Sequence, residues 1–158
     1  MSNILLGADN TGSGSTLSAN RLFLGKFTAL ASGTMNQIQI KITATGNVKV
    51  AIYADNAGEP GSLLNSIGST AVTVGVNSIT FPDTTIISGT PYWLAFNQDT
   101  NLLVDGINTG GTSRYATLTY TNDFPDPPTG LSSYTHLLQL AGWNTPALSV
   151  FIPRPIFF

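Results

Sequence analysis

No cysteine occurs among the 158 residues, which removes disulfides, thiolate metal centres and a cysteine nucleophile at once. Charge is almost as scarce. Charged residues make up 9% of the chain, with one glutamate, three lysines and a net charge of −2, where an ordinary soluble domain carries about 25%. The six basic residues, Arg21, Lys26, Lys41, Lys49, Arg114 and Arg154, are scattered, so no electrostatic footprint for a phosphate backbone is present and no nucleic-acid partner is expected. No apolar run is long enough to cross a bilayer, so no membrane insertion is expected, and the start of the chain lacks the basic and apolar regions of a secretory leader. Two routes to the outside remain, a mature secreted domain given a new Met1 or a subunit carried out in an assembled phage particle. The second is the expectation adopted, with a virion or extracellular surface as the location.

Against these absences stand forty-eight serines, threonines and asparagines. Thr suits pleated strands, Ser and Asn suit turns, and the Glu and Lys that clothe helices are nearly missing. The class that follows is all-β, with an uncharged hydroxyl- and amide-rich surface. A chain of this length can bury a core without staples. A single β-sandwich domain is expected over 1–152, with a flexible Gly/Ser-rich segment near 10–16 and an extended apolar arm over 153–158.

Period-2 alternation is clearest over 34–55. Ile38, Ile40, Ile42 and Ala44 alternate with Gln37, Gln39, Lys41 and Thr43, then Val48, Val50, Ile52 and Ala54 alternate with Lys49, Ala51 and Tyr53. With Thr45-Gly46-Asn47 between them, the two runs predict a long β-hairpin with one wet face. Further strands are predicted at 21–27, 63–67, 71–74, 78–81, 102–104, 114–121, 137–141 and 147–152, and at 91–97, whose nearly continuous apolar run places it mid-sheet. The proline-rich stretch 122–130 should be a stiff surface excursion. About ten short strands between turn clusters predict a two-sheet antiparallel β-sandwich of jelly-roll type.

The strand Val48-Lys49-Val50-Ala51-Ile52-Tyr53-Ala54-Asp55, the turn Gly58-Glu59-Pro60-Gly61 and the run Gly89-Thr90-Pro91-Tyr92-Trp93-Leu94-Ala95-Phe96 resemble jelly-roll β-sandwich modules of phage decoration and tail proteins and of bacterial extracellular carbohydrate-binding-like domains. The resemblance covers about a third of the chain and rests on architectural motifs. It implies a fold and a choice of roles, sugar binder, spacer, adhesin or subunit contact, and transfers no functional residue.

Candidate chemistry is sparse. The acids fall mostly in predicted turns, where Asp hydrogen-bonds its own backbone, and the one histidine, His136, has no Gly-x-Ser-x-Gly elbow to serve. No enzyme and no cofactor is expected. Two oxygen-rich loops, Asp99-Thr100-Asn101 with Asp105 and Asp55-Asn56 with Glu59, offer hard ligands of the type calcium takes, but Asx-turns explain them more simply. Phe124, Tyr134, His136 and Trp143 are the candidates for glycan contact, with Asp126 and Asn144 as polar neighbours, since sugars stack on aromatic faces beside amide and carboxylate groups. The competing reading buries Trp143 at one end of the sandwich and uses Tyr134 to anchor a loop. The segment Phe151-Ile152-Pro153-Arg154-Pro155-Ile156-Phe157-Phe158 is the expected assembly arm. Pro153 and Pro155 keep it extended, and Phe151, Ile152, Ile156, Phe157 and Phe158 need cover from this chain or from a neighbour. The leading expectation is a non-enzymatic structural subunit of an extracellular or virion assembly, a decoration, tail, fibre or filament protein partnered by its own copies or by other subunits. A carbohydrate-binding module is the alternative.

Overall fold

The computed structural model describes residues 3–8, 14–101, 103–107 and 110–145. The arm (Phe151, Ile152, Pro153, Pro155, Ile156, Phe157 and Phe158), the strand expected at 147–152 and most of the Gly/Ser-rich segment lie outside the described residues. The strands, in chain order, are β1 (Asn3–Gly7), β2 (Gly14–Thr16), β3 (Arg21–Thr28), β4 (Gly33–Ile42), β5 (Gly46–Asn56), β6 (Glu59–Val72), β7 (Gly75–Ile86), β8 (Pro91–Gln98), β9 (Leu103–Ile107), β10 (Ser113–Thr117), β11 (Ser132–Tyr134), β12 (Leu137–Leu138) and β13 (Leu140–Asn144). No helix occurs among the described residues. The fold is an all-β sandwich of two antiparallel sheets.

One sheet runs β11-β10-β3-β8-β5-β6; the other contains β1-β13-β4-β9-β12, with β7 paired to β4 and β2 to β9. The two strands expected to form a hairpin over 34–55 are therefore separated: β4 joins the seven-stranded sheet, while β5 lies between β8 and β6 in the six-stranded one. Alternation was read correctly in each strand, but it says nothing about which strands pair. The wet face assigned to β5 is also absent, since Val48, Lys49, Val50, Ala51, Ile52 and Tyr53 are all buried. The short strands expected near 63–67, 71–74 and 78–81 fuse into the long β6 and β7.

Two cores result. Between the sheets, Ile38, Ile40, Ile42, Val48, Val50, Ile52, Leu94, Phe96 and Leu140 interleave. On the outer face of the six-stranded sheet, Leu22, Leu24, Ala51, Tyr53, Trp93 and Ala95 form a second apolar cluster, closed by Phe124 and by the partly buried Leu63, Leu118 and Leu131. The cover is the segment 118–131, which folds back across the sheet as a strap. Over 122–130 it is irregular and mostly exposed, as expected of a surface excursion, but it packs onto the sheet, and Phe124 is buried rather than available to a glycan.

Polar contacts fasten the strap along its length. Asn97 Nδ2 donates to the Leu118 carbonyl at 2.9 Å, Tyr120 Oη to Ser69 Oγ at 2.6 Å, Tyr53 Oη to the Pro125 carbonyl at 3.0 Å and the Leu63 amide to Asp126 Oδ1 at 2.7 Å. Lys49 Nζ donates to the Asn122 carbonyl and lies 5.1 Å from the Tyr120 ring centroid and 5.6 Å from that of Phe124. For the fully buried Tyr53 and Asn97 side chains these bonds supply partners that water cannot. Phe124→Ala should remove the central plug and lower the unfolding free energy by about 3 kcal/mol, read from urea denaturation, with no change in the far-ultraviolet circular dichroism of the folded state.

Candidate functional site

Charge, being scarce, is informative where it gathers. The β5–β6 hairpin turns through Ala57 (φ 51°) and Gly58 (φ 93°), the left-handed pair that a two-residue loop requires to match strand twist. This places Asp55 and Glu59 near Trp93. Asp55 accepts from the Gly58 amide at 3.0 Å and from Trp93 Nε1 at 2.9 Å, and pairs with Lys26 at 3.0 Å. Glu59 takes a two-pronged contact from Arg114, with Nε to Oε2 at 2.8 Å. Lys26 Nζ and Arg114 Cζ lie 5.9 and 5.6 Å from the Trp93 ring. Burial alone would raise the Asp55 carboxyl, but the bonds from Lys26, Trp93 and Gly58 outweigh it and hold it below the usual range. The Arg114 bond does the same for Glu59.

Both oxygen-rich loops are thus engaged by protein donors. Asp99 receives the Asn47 amide at 2.9 Å and the Asn47 side chain at 2.7 Å, and Asn101 Oδ1 accepts from the Ala19 amide at 2.7 Å. The Asx-turn reading accounts for Asp55, and these carboxylates serve to lock turns and strands.

The four glycan candidates lie in three places. Phe124 is under the strap. Trp143 is half-buried on β13, opposite Gln37 and Ile4, with its Nε1 buried and without a hydrogen-bond partner among the described residues. Asp126, proposed as their polar neighbour, is spent on the Leu63 amide. Tyr134 and His136 remain together: their rings stack at 3.8 Å with an interplanar angle of 9°, and Tyr134 Oη is 3.1 Å from His136 Nε2.

This pair ends a row of rings running out from the core. Phe96 stacks on Phe23 at 5.3 Å, Phe23 meets Tyr115 at 6.4 Å, and Tyr115 meets Tyr134 edge to face at 5.8 Å. Register makes the row, since β3 pairs Phe23 with Phe96 on one side and with Tyr115 on the other. A cavity of about 220 Å³ opens beside it, lined by Leu17, Ser18, Arg21, Phe23, Tyr115, Ser133 and Tyr134. The Arg21 guanidinium lies 5.4 Å from the Tyr115 ring. A second cavity, about 130 Å³ beside Lys49 and Phe124, has its cation committed to the strap.

The walls of the larger cleft are held from behind. Gln98 Nε2 donates to the Leu17 carbonyl at 2.5 Å, the Asn20 amide to the Gln98 carbonyl at 3.1 Å, and Ser113 Oγ to the Tyr134 carbonyl at 2.9 Å. Desolvation raises the Tyr134 phenol and depresses the His136 imidazole, so both are neutral near pH 7. Arg21, Ser18, Tyr115 and Ser133 were not singled out from the sequence. Residue 21 meets residue 115 through the pairing of β3 with β10 alone. No family model matches the chain, and neither a curated protein nor a solved structure matches it.

The His136 shift has a measurable consequence. The folded imidazole binds its proton at lower pH than the unfolded one, whose ordinary value is 6.5. The unfolded chain therefore holds more protons as pH falls through that value, and stability drops. In His136→Gln the loss of melting temperature between about pH 7.5 and 5.5 should be smaller than in the parent chain; equal losses would show that the ring titrates alike in both states.

Proposed function

We propose that the chain is a non-enzymatic interaction subunit of an extracellular or virion assembly, of the decoration, tail, fibre or filament kind, and that it associates with further copies of itself through sheet edges. The observation that carries this reading is the flank formed by β6 and β7. Among the described residues each is an edge strand of its sheet, 14 and 12 residues long, and over residues 62–81 neither a charge nor a proline interrupts them. Long edges are normally defended by Lys, Pro or a covering segment, because their free amides and carbonyls template pairing with another chain. Here Pro82 and Asp83 guard only the far end of β7. Leu64, Val74 and Val76 stand exposed on the same flank, at 39%, 67% and 52%. The jelly-roll likeness and the apolar arm over 151–158 belong to the same proposal, the arm as a second contact reaching a neighbouring copy.

A sugar-binding role is the second reading, favoured by the aromatic cleft at Tyr115 and Tyr134.

Light scattering coupled to size exclusion separates the possibilities. The full chain should be an oligomer, and both Leu64→Lys/Val76→Lys and a version ending at Ile152 should be folded species of lower mass. A full chain that remains monomeric at high concentration removes the assembly reading.

A further inference from the structure

We propose that the cleft between Arg21, Tyr115 and Tyr134 binds a saccharide bearing a carboxylate, the guanidinium taking the carboxylate and the tyrosine rings taking the apolar face of the sugar. The inference rests on the sugar-binding reading and specifies its ligand. Three observations lead to it. The first is electrostatic. Lys26 and Arg114 are paired with Asp55 and Glu59, and Lys49 is spent on the Asn122 carbonyl. Arg21 touches only the Tyr115 ring, with no ion-pair or hydrogen-bond partner among the described residues. Its donors meet no acceptor among the described residues, in a cavity whose described lining includes no carboxylate. A planar fork of donors matches a carboxylate in two-pronged fashion.

The second observation is the chemistry of the walls. A site for a bare inorganic anion would need donors on several sides, whereas this one offers Phe23, Tyr115 and Tyr134 with the hydroxyls of Ser18 and Ser133. Rings with a few hydroxyls suit a ligand that is apolar on one face and hydroxylated at its rim. The volume, about 220 Å³, lies below the roughly 300 Å³ at which drug-sized sites begin, which suits one sugar ring rather than a long chain enclosed from end to end.

The third is preorganisation. Arg21 begins β3 and is braced by the Tyr115 face, Tyr134 is clamped between Tyr115 and His136, and the Leu17–Asn20 turn is tied to Gln98 and Asn101. Little freedom remains to be lost on binding, so a small contact area can yield measurable affinity.

The test is an amide-resolved NMR titration of the full chain with trigalacturonate and sialyllactose, against the neutral maltotriose and lactose and against sodium sulfate. The acids should shift the amides of Arg21, Tyr115 and Tyr134 saturably, with affinity that falls as salt rises. Arg21→Gln, an exposed position outside both cores, should weaken the acids by about tenfold or more while leaving the melting temperature unchanged, and Tyr134→Ala should abolish the shifts. Saturable binding of the neutral sugars with equal affinity overturns the acid inference but leaves the sugar reading standing. Sulfate displacing the acids at equal concentration reduces the cleft to an anion site and overturns it as well. No saturable shift with any of the sugars overturns both.

Discussion

The centre of the six-stranded sheet, β3, β8 and β5, is buried on both faces, and the rest of the molecule depends on that. Its inner face meets the seven-stranded sheet; its outer face meets a strap of irregular chain that must satisfy backbone polar groups without a ladder. It does so in part with borrowed donors: Asn97, Lys49 and Tyr53 reach the carbonyls of Leu118, Asn122 and Pro125. A buried tyrosine and a buried lysine on β5 thus have the same explanation. Each carries apolar bulk into the cover and a polar tip to a carbonyl at its far side.

Much of this architecture was legible in the chain. Alternation located β4 and β5, the apolar run located β8 in mid-sheet, and the near-absence of Glu and Lys excluded helices. What alternation could not supply was partnership. Ile38 to Ile42 and Val48 to Ile52 read alike, yet they face each other across the core from different sheets. Nor could the polar residues between them reveal that Lys49 and Tyr53 were to be covered, because the cover lies about seventy positions away and is written in prolines that signal loop. The same distance hid half of the cleft. Tyr134 and His136 stood out as adjacent ring-bearing residues outside the expected strands, whereas Arg21 and Tyr115 acquire meaning only through the register of β3 with β10.

The few charges are distributed with economy. Four of them surround Trp93, where they tie together β3, β5, β6 and β10 and give its indole a partner for its N–H. Such semi-buried pairs act chiefly as registration devices, since desolvation offsets much of their attraction. The flank of β6 and β7 and the aromatic cleft depart from this surface of neutral hydroxyls and amides, the first with strand edges that have no partner among the described residues and the second with a guanidinium that has no ion-pair or hydrogen-bond partner there.

The strap also imposes an order on synthesis. Leu22, Leu24, Ala51, Tyr53, Trp93 and Ala95 all precede in the chain the segment 118–131 that covers them, and so emerge before it. A nascent chain that has released β3, β5 and β8 but not the strap therefore holds a sheet with one apolar face bare, and remains adhesive until the strap emerges. Slow elongation after β8 has emerged lengthens that interval.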